Sequence, residues 1–224
     1  AVGVGSNVSD QAVRNTIQEL NNRYRKVTGT GGAGTGVDTE IEFVLAVRNP
    51  SGACTNGITR TSMTGNSAYM AGGVKTGSSG TGITDAALKA IISWDRTKYY
   101  NIYVVYEIDN NEGGAGTQGY AYMASSHGTS VDGAVMLANN FNSSFSMTLT
   151  HELGHALNLF HTFEGDGTGN ACPPVNGCSG TGVGGEGDCC ADIPAHKRSQ
   201  SNCNVTGTNT CNGGSSSNAL FARN

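Results

Sequence analysis

The chain has 224 residues, a formal net charge of −4 and 13% charged residues, with 37% hydrophobic residues and 34 glycines. Such a length suits one domain, or one domain of two lobes about a cleft. The absence of a Lys/Arg cluster argues against nucleic acid or an anionic membrane as partner, and no apolar run nears the ~20 residues that span a bilayer.

Low charge with abundant Gly, Ser and Asn suggests a secreted protein with long ordered loops. The chain starts at Ala1 without Met or a leader and is read as a processed form.

Val2 and Val4 alternate with Gly and read as a short strand. Asp10 is a candidate cap for a helix running to about Lys26, with Val13, Ile17, Leu20 and Tyr24 as one buried stripe. Residues 28–39 read as a loop. Residues 41–47 read as a strand ending at Asn49-Pro50, and 58–63 as another. Residues 64–82 read as a Gly/Ser-rich loop. Thr84-Asp85 caps a short helix carrying Leu88, Ile91, Ile92 and Trp94.

Residues 99–108 carry the strongest strand pattern, a β-branched and aromatic run expected at the centre of a sheet. Tyr120–Met123 reads as a short edge strand and Val131–Leu137 as an apolar strand interrupted by Gly133. Ser143 or Ser144 is the expected cap of a helix that follows. After His161 no regular pattern appears until 218–223.

That last helix carries His151-Glu152-Leu153-Gly154-His155, and three of the five histidines fall within eleven residues. His151 and His155 are four apart, so they stand on one helical face and can share a metal ion. His161 comes six residues later and reaches that ion only if the helix stops and the chain turns back. Asn158 is the expected turning point, since Asn tolerates the left-handed conformation that ends helices. Three imidazoles and a water make a four-coordinate zinc with an open catalytic position. Glu152 is then the general base that takes a proton from the water and delivers it to a leaving amine. Two histidines on an ordinary exposed helix are the bland reading. The helix, its terminating residue and the third histidine together argue against it.

Seven cysteines lie at 54, 172, 178, 189, 190, 203 and 211. Six follow the histidine stretch, without the C-x2-C spacing that zinc knuckles favour. They read as a disulfide-stapled lobe in an extracellular setting, with one left over.

The run 151–165, HELGHALNLFHTFEG, resembles the metzincin metalloproteases and, within them, the pappalysin family. Further likeness lies in residues 41–46, in Gly57-Ile58-Thr59-Arg60, and in Gly187-Asp188-Cys189-Cys190-Ala191-Asp192-Ile193-Pro194. The resemblance implies an α+β fold. It has a mixed, twisted sheet with one antiparallel edge strand, a backing helix and an active-site helix, then an irregular disulfide-stapled C-terminal lobe. The pattern along the chain divides it into an N-terminal subdomain, 1–157, and a C-terminal one, 158–224, with the boundary at Asn158, and the resemblance adds a metal site. It implies one catalytic zinc on His151, His155 and His161. It also implies a structural calcium in the C-terminal lobe, with Asp188 and oxygens of Ala191 and Ile193 as ligands.

Two departures stand out. Asn158 replaces the family's usual Gly. The methionines at 63, 70, 123, 136 and 147 all precede His161, whereas metzincins carry a methionine turn after the third histidine. The chain is therefore expected to be a fragment of a longer protease.

The expectation is a secreted zinc endopeptidase acting on polypeptide, with no nucleic acid or membrane partner. One rival keeps zinc but recruits a distant Glu and leaves His161 idle. Another is a catalytically impaired, zinc-bound domain that only binds polypeptide.

Overall fold

The computed structural model describes residues 2, 5–34, 36–78, 80–142, 146–165 and 187–190. The chain divides into two units, Ala1–Leu157 and Asn158–Asn224. Of the second, residues 158–165 and 187–190 are described.

The first unit opens with helix α1, Asp10–Tyr24. Its cap is Ser9 rather than Asp10: the Ser9 hydroxyl accepts the Ala12 N–H at 3.1 Å. Asp10 falls in the first turn instead, where the helix dipole favours a negative charge. Leu20 and Tyr24 are buried, with Val13 and Ile17 packed beside them at partial burial. The expected stripe is therefore present and deepens toward the C-terminal end.

Residues 41–46 form no strand, contrary to the strand expected there. The reason is local. The Asn21 side chain holds both backbone groups of Phe43, accepting its N–H and donating to its carbonyl, each at 2.8 Å. The side-chain amide stands where a strand partner would, and Val44 stays 80% exposed. Residues 58–63, also expected as a strand, likewise join no ladder. Arg60 ties that segment to the start of α1, donating to Asn7, the Val8 carbonyl and Asp10.

The expected loop at 64–82 contains regular structure. Helix α2, Ser67–Gly72, is capped by the Asn66 side chain. Strand β1, Val74–Lys75, then pairs in parallel with β2, Ile83–Thr84. Thr84 also caps helix α3, Asp85–Ile92, by accepting the Ala87 N–H.

Strand β3, Ile102–Val105, and β4, Gly119–Ala121, follow, then β5, Ala134–Leu137. Helix α4, Asn139–Asn142, precedes α5, Thr148–Ala156. The sheet order is β3-β5-β4, with β3 and β5 parallel and β4 antiparallel at the edge. The mixed sheet with one antiparallel edge strand is present, but its centre is β5, not the aromatic run of 99–108. Beyond Val105 that run leaves the sheet: Ile108 bridges to Val74 and Asn111, and Asp109 and Asn110 turn at positive φ.

All four residues of β5 are buried. Ala134 and Met136 face a cluster with Leu20 and Tyr24 of α1 and Leu149, Leu153 and Ala156 of α5. Val135 and Leu137 face the opposite cluster, with Tyr69 of α2 and Leu88 of α3. The period-two alternation of a strand thus sends consecutive residues to different cores. Gly133 sets where β5 begins: its φ is +106, and a Cβ there would lie 2.5 Å from the Asn101 carbonyl.

In the second unit Asn158 has φ 74 and Cys189 φ 66, and Cys189 is disulfide-bonded. Gly187 packs so tightly that a Cβ would meet the Thr162 carbonyl at 2.3 Å. In the first unit Cys54 is an exposed free thiol. Among the described residues no helix is long and apolar enough to cross a membrane.

Leu20 is 1% exposed and anchors α1 in the α5-side core. Leu20→Ala should destabilise the fold by about 3 kcal/mol and lower the thermal midpoint by roughly 6–12 °C. Calorimetry of the two proteins checks this, and a midpoint within a degree of wild type would refute the packing assignment.

Candidate active site

Helix α5 buries Leu149, Glu152, Leu153, Gly154 and Ala156, which leaves His151 and His155 half-buried on one flank. Their rings meet edge to face at 4.6 Å between centroids. Their Nε2 atoms stand 3.1 Å apart. Two nitrogens on one tetrahedral zinc, each ~2.05 Å from it, lie roughly 3.3 Å apart. The helix therefore presents two imidazole nitrogens close to the spacing that one zinc ion requires.

The helix ends immediately afterwards. The Leu157 N–H is shared between the Leu153 and Gly154 carbonyls, at 3.0 and 3.1 Å. Asn158 follows in the left-handed conformation. His161 stacks on Phe163 with centroids 4.9 Å apart and planes 8° from parallel, and Phe163 is 3% exposed. The Nδ1 of His161 is 3.1 Å from the Glu164 carboxylate. With the proton on Nδ1 toward Glu164, Nε2 presents its lone pair, the usual way a ligand imidazole is oriented.

Candidate ligand atoms of His151, His155 and His161 all lie within 4.8 Å of one another. Among the described residues this is the one cluster of metal-binding side chains. Three neutral nitrogen donors without an oxygen ligand match zinc's preferences and leave a fourth position open, so the cluster fits a zinc site.

Glu152 is 7% exposed. Burial pushes its carboxyl up to about 7, while the backbone N–H of Ala121 pulls the other way. A dication at the imidazoles would favour the carboxylate further. The Ala121 contact is one that residue spacing did not reveal. Tyr120 pairs with Val135, and the Leu137 N–H donates to the Gln118 carbonyl. By antiparallel alternation, the backbone groups of Gly119 and Ala121 therefore face away from β5, on the side of β4 where no strand pairs among the described residues. Tyr100 was also not foreseen. Burial raises its hydroxyl, and the charges of Asp132 and Glu152 raise it further.

The remaining expected site residues fall elsewhere. Asp188 uses Oδ1 to accept the Cys190 N–H at 3.0 Å, a local turn contact. Ala191 and Ile193 lie outside the described residues. So do Ser143 and Ser144; the residue at the observed cap position of α5 is Met147, without a side-chain bond. His127 is exposed, its ring edge-on to Tyr100 at 6.1 Å, and it is not part of the histidine cluster.

Comparison with known proteins follows the same line. The family model of the M43 peptidases, described as Pregnancy-associated plasma protein-A, matches residues 82–222. An extracellular metalloprotease of Sordaria macrospora is 28% identical over 139 residues, covering 57% of this chain and 41% of that one. Extracellular metalloprotease 1 of Coccidioides posadasii is 40% identical over 67 residues, covering 30% and 18%. The chain thus spans less than half the length of either relative. Among solved structures, mirolysin in complex with compound 9 superposes with a TM-score of 0.56 at 26% identity, covering 76% of this chain and 62% of that one. Mature mirolysin of Tannerella forsythia with a cleaved peptide gives 0.51 at 29% identity, covering 74% and 62%. With the family match extending over more than half its length, the chain belongs to the pappalysin family of metzincin metalloproteases.

Proposed function

We propose that this chain forms the catalytic part of a secreted, zinc-dependent endopeptidase. The observation that carries the reading is the convergence of His151 and His155 of α5 with His161 beyond its end, the buried Glu152 lying next in sequence to His151. His151, His155 and His161 would hold the ion. A zinc ion there supplies Lewis acidity and lowers the pKa of a water molecule.

The protein's own part is to position groups and to move a proton. Glu152 sits one residue from the first ligand, in a buried setting where a carboxylate interacts strongly with its neighbours. As general base it accepts the proton of the attacking water and returns it to the leaving amine. The edge strand β4 offers the outward backbone groups of Gly119 and the Ala121 carbonyl to an extended polypeptide, in the manner of strand addition, while the Ala121 N–H is held by Glu152. Polypeptide as substrate class is supported by the cleaved peptide in the mirolysin complex. Secretion is supported by the extracellular naming of both relatives and by the disulfide at Cys189.

The same reading takes residues 1–157 and 158–224 as the two subdomains, the second stapled by disulfides. It also assigns a structural calcium to Asp188 with oxygens of Ala191 and Ile193, on the strength of calcium's preference for carboxylate and carbonyl ligands.

Metal analysis of the purified protein should find one zinc and one calcium per chain; absence of calcium removes the second assignment alone. Glu152→Gln should retain the zinc while cleavage of a peptide library falls by about 10³-fold. Unchanged cleavage in Glu152→Gln would exclude this base, and a wild type that binds zinc but cuts nothing would favour the polypeptide-binding alternative.

His161→Ala should lose most of its zinc at equal total metal. Retention would mean that another group, such as a distant Glu, completes the site. Asn158→Gly should bind zinc as wild type does, because Gly adopts the left-handed conformation freely, whereas Asn158→Val should weaken it. Equal zinc affinity in both variants would show that the turn does not control the third ligand.

A further inference from the structure

Helix α3 carries a lysine, Lys89, one turn after Asp85. It is 0% exposed. Burial alone pushes its ammonium toward the neutral form, and the charges of Asp85 and Asp132 oppose that. Its Nζ has three acceptors: Asp85 Oδ1 at 2.9 Å, the Val131 carbonyl at 2.6 Å and the Gly133 carbonyl at 3.4 Å. It also lies over three rings, Tyr122 at 4.6 Å, Tyr103 at 5.4 Å and Tyr120 at 5.6 Å from their centroids. Asp85 Oδ1 receives the Tyr120 hydroxyl as well, at 2.7 Å.

Two of those rings, Tyr120 and Tyr122, belong to β4 and its continuation. The residue between them is Ala121, which packs on the opposite face and gives its N–H to Glu152. β4 is three residues long and begins with a glycine, so its own ladder to β5 is slight. The Lys89–Asp85 pair grips that strand from behind, one residue either side of the amide that meets the glutamate.

We propose that Lys89, with Asp85 and Tyr120, is a positioning element for peptide hydrolysis, fixing the edge strand relative to Glu152 so that an extended polypeptide can pair with it. This rests on the endopeptidase reading above. A purely structural ion pair would affect every substrate alike, by reducing the folded fraction. A positioning element affects most the substrates that use the strand.

The test compares wild type, Lys89→Met and Tyr120→Phe on an eight-residue peptide and on a blocked tripeptide cut at the same bond. Tyr120→Phe is the decisive variant, since it keeps the ring and the Lys89–Asp85 pair and removes one hydroxyl. Rates are referred to bound zinc. In Tyr120→Phe, kcat/KM for the octapeptide should fall about tenfold, the weight of one hydrogen bond to a charged group, chiefly through KM. The tripeptide should change by about twofold or less. Lys89→Met, if it folds, should show the same split more strongly.

A second readout needs no turnover. In a Glu152→Ala background, octapeptide affinity measured by fluorescence anisotropy should weaken about tenfold on adding Tyr120→Phe. Amide exchange at 120–123 should quicken while that of α1 and α5 stays unchanged. Equal losses on both peptides, or no loss on the octapeptide, overturns the proposal. If the wild type cleaves neither peptide, the endopeptidase reading fails, and unaltered octapeptide binding then overturns this one separately.

Discussion

Two imidazoles one helical turn apart can share an ion with no help from the rest of the chain, but a third cannot join them while the helix continues. On an unbroken helix His161 would lie about 9 Å further along the axis than His155 and on a different face. The site therefore depends on a helix that stops on time. Leu157 closes the last turn, and Asn158 at φ 74 reverses the chain. The stacking of His161 on buried Phe163 and its contact with Glu164 then hold the ring. The strain of one left-handed residue sits in a segment whose neighbours Leu157, Leu159 and Phe160 are exposed, so nothing in the core resists the turn.

The other half of the site is an edge. A mixed sheet with β5 at its centre buries both faces of that strand, and the two helical layers leave β4 as one border of the sheet. Alternation along β4 separates two tasks. Tyr120 turns toward the Lys89 cluster, while Ala121 turns toward α5 and meets Glu152. A buried ammonium is an expensive way to fasten a strand, since desolvation offsets much of the Coulomb attraction. Its three acceptors and three rings fix one arrangement, which a greasy contact of similar volume would not do.

Much of the site was legible because its signals are local. The spacing of His151 and His155, the carboxylate between them and the left-handed tolerance of Asn158 all act within one or two turns of chain. Helix α3, with Thr84 as its cap, was legible for the same reason, and the stripe on α1 follows directly from a 3.6-residue period. The choice of Asp10 over Ser9 as the cap of α1 was off by one residue, since either side chain can serve there. Residues 64–82 carry no such local signal: high Gly and Ser content hides α2 and β1, which contact β2, α3 and the segment that follows β3.

By itself the sequence determined the placing of His151, Glu152 and His155 on one helix, the turn that follows and the mixed α+β character. These depend on helical periodicity and on the conformational range of single residues. Tertiary structure alone decided which strand lies at the centre, because backbone groups compete for partners across long loops: Asn21 took those of Phe43, and Val74 drew Ile108 away from the sheet. It also decided that Lys89 is a buried anchor rather than a solvated surface charge. That outcome needs Asp85, two carbonyls and three tyrosines brought together from four stretches of chain, and the spacing within α3 records only the Asp85–Lys89 pair.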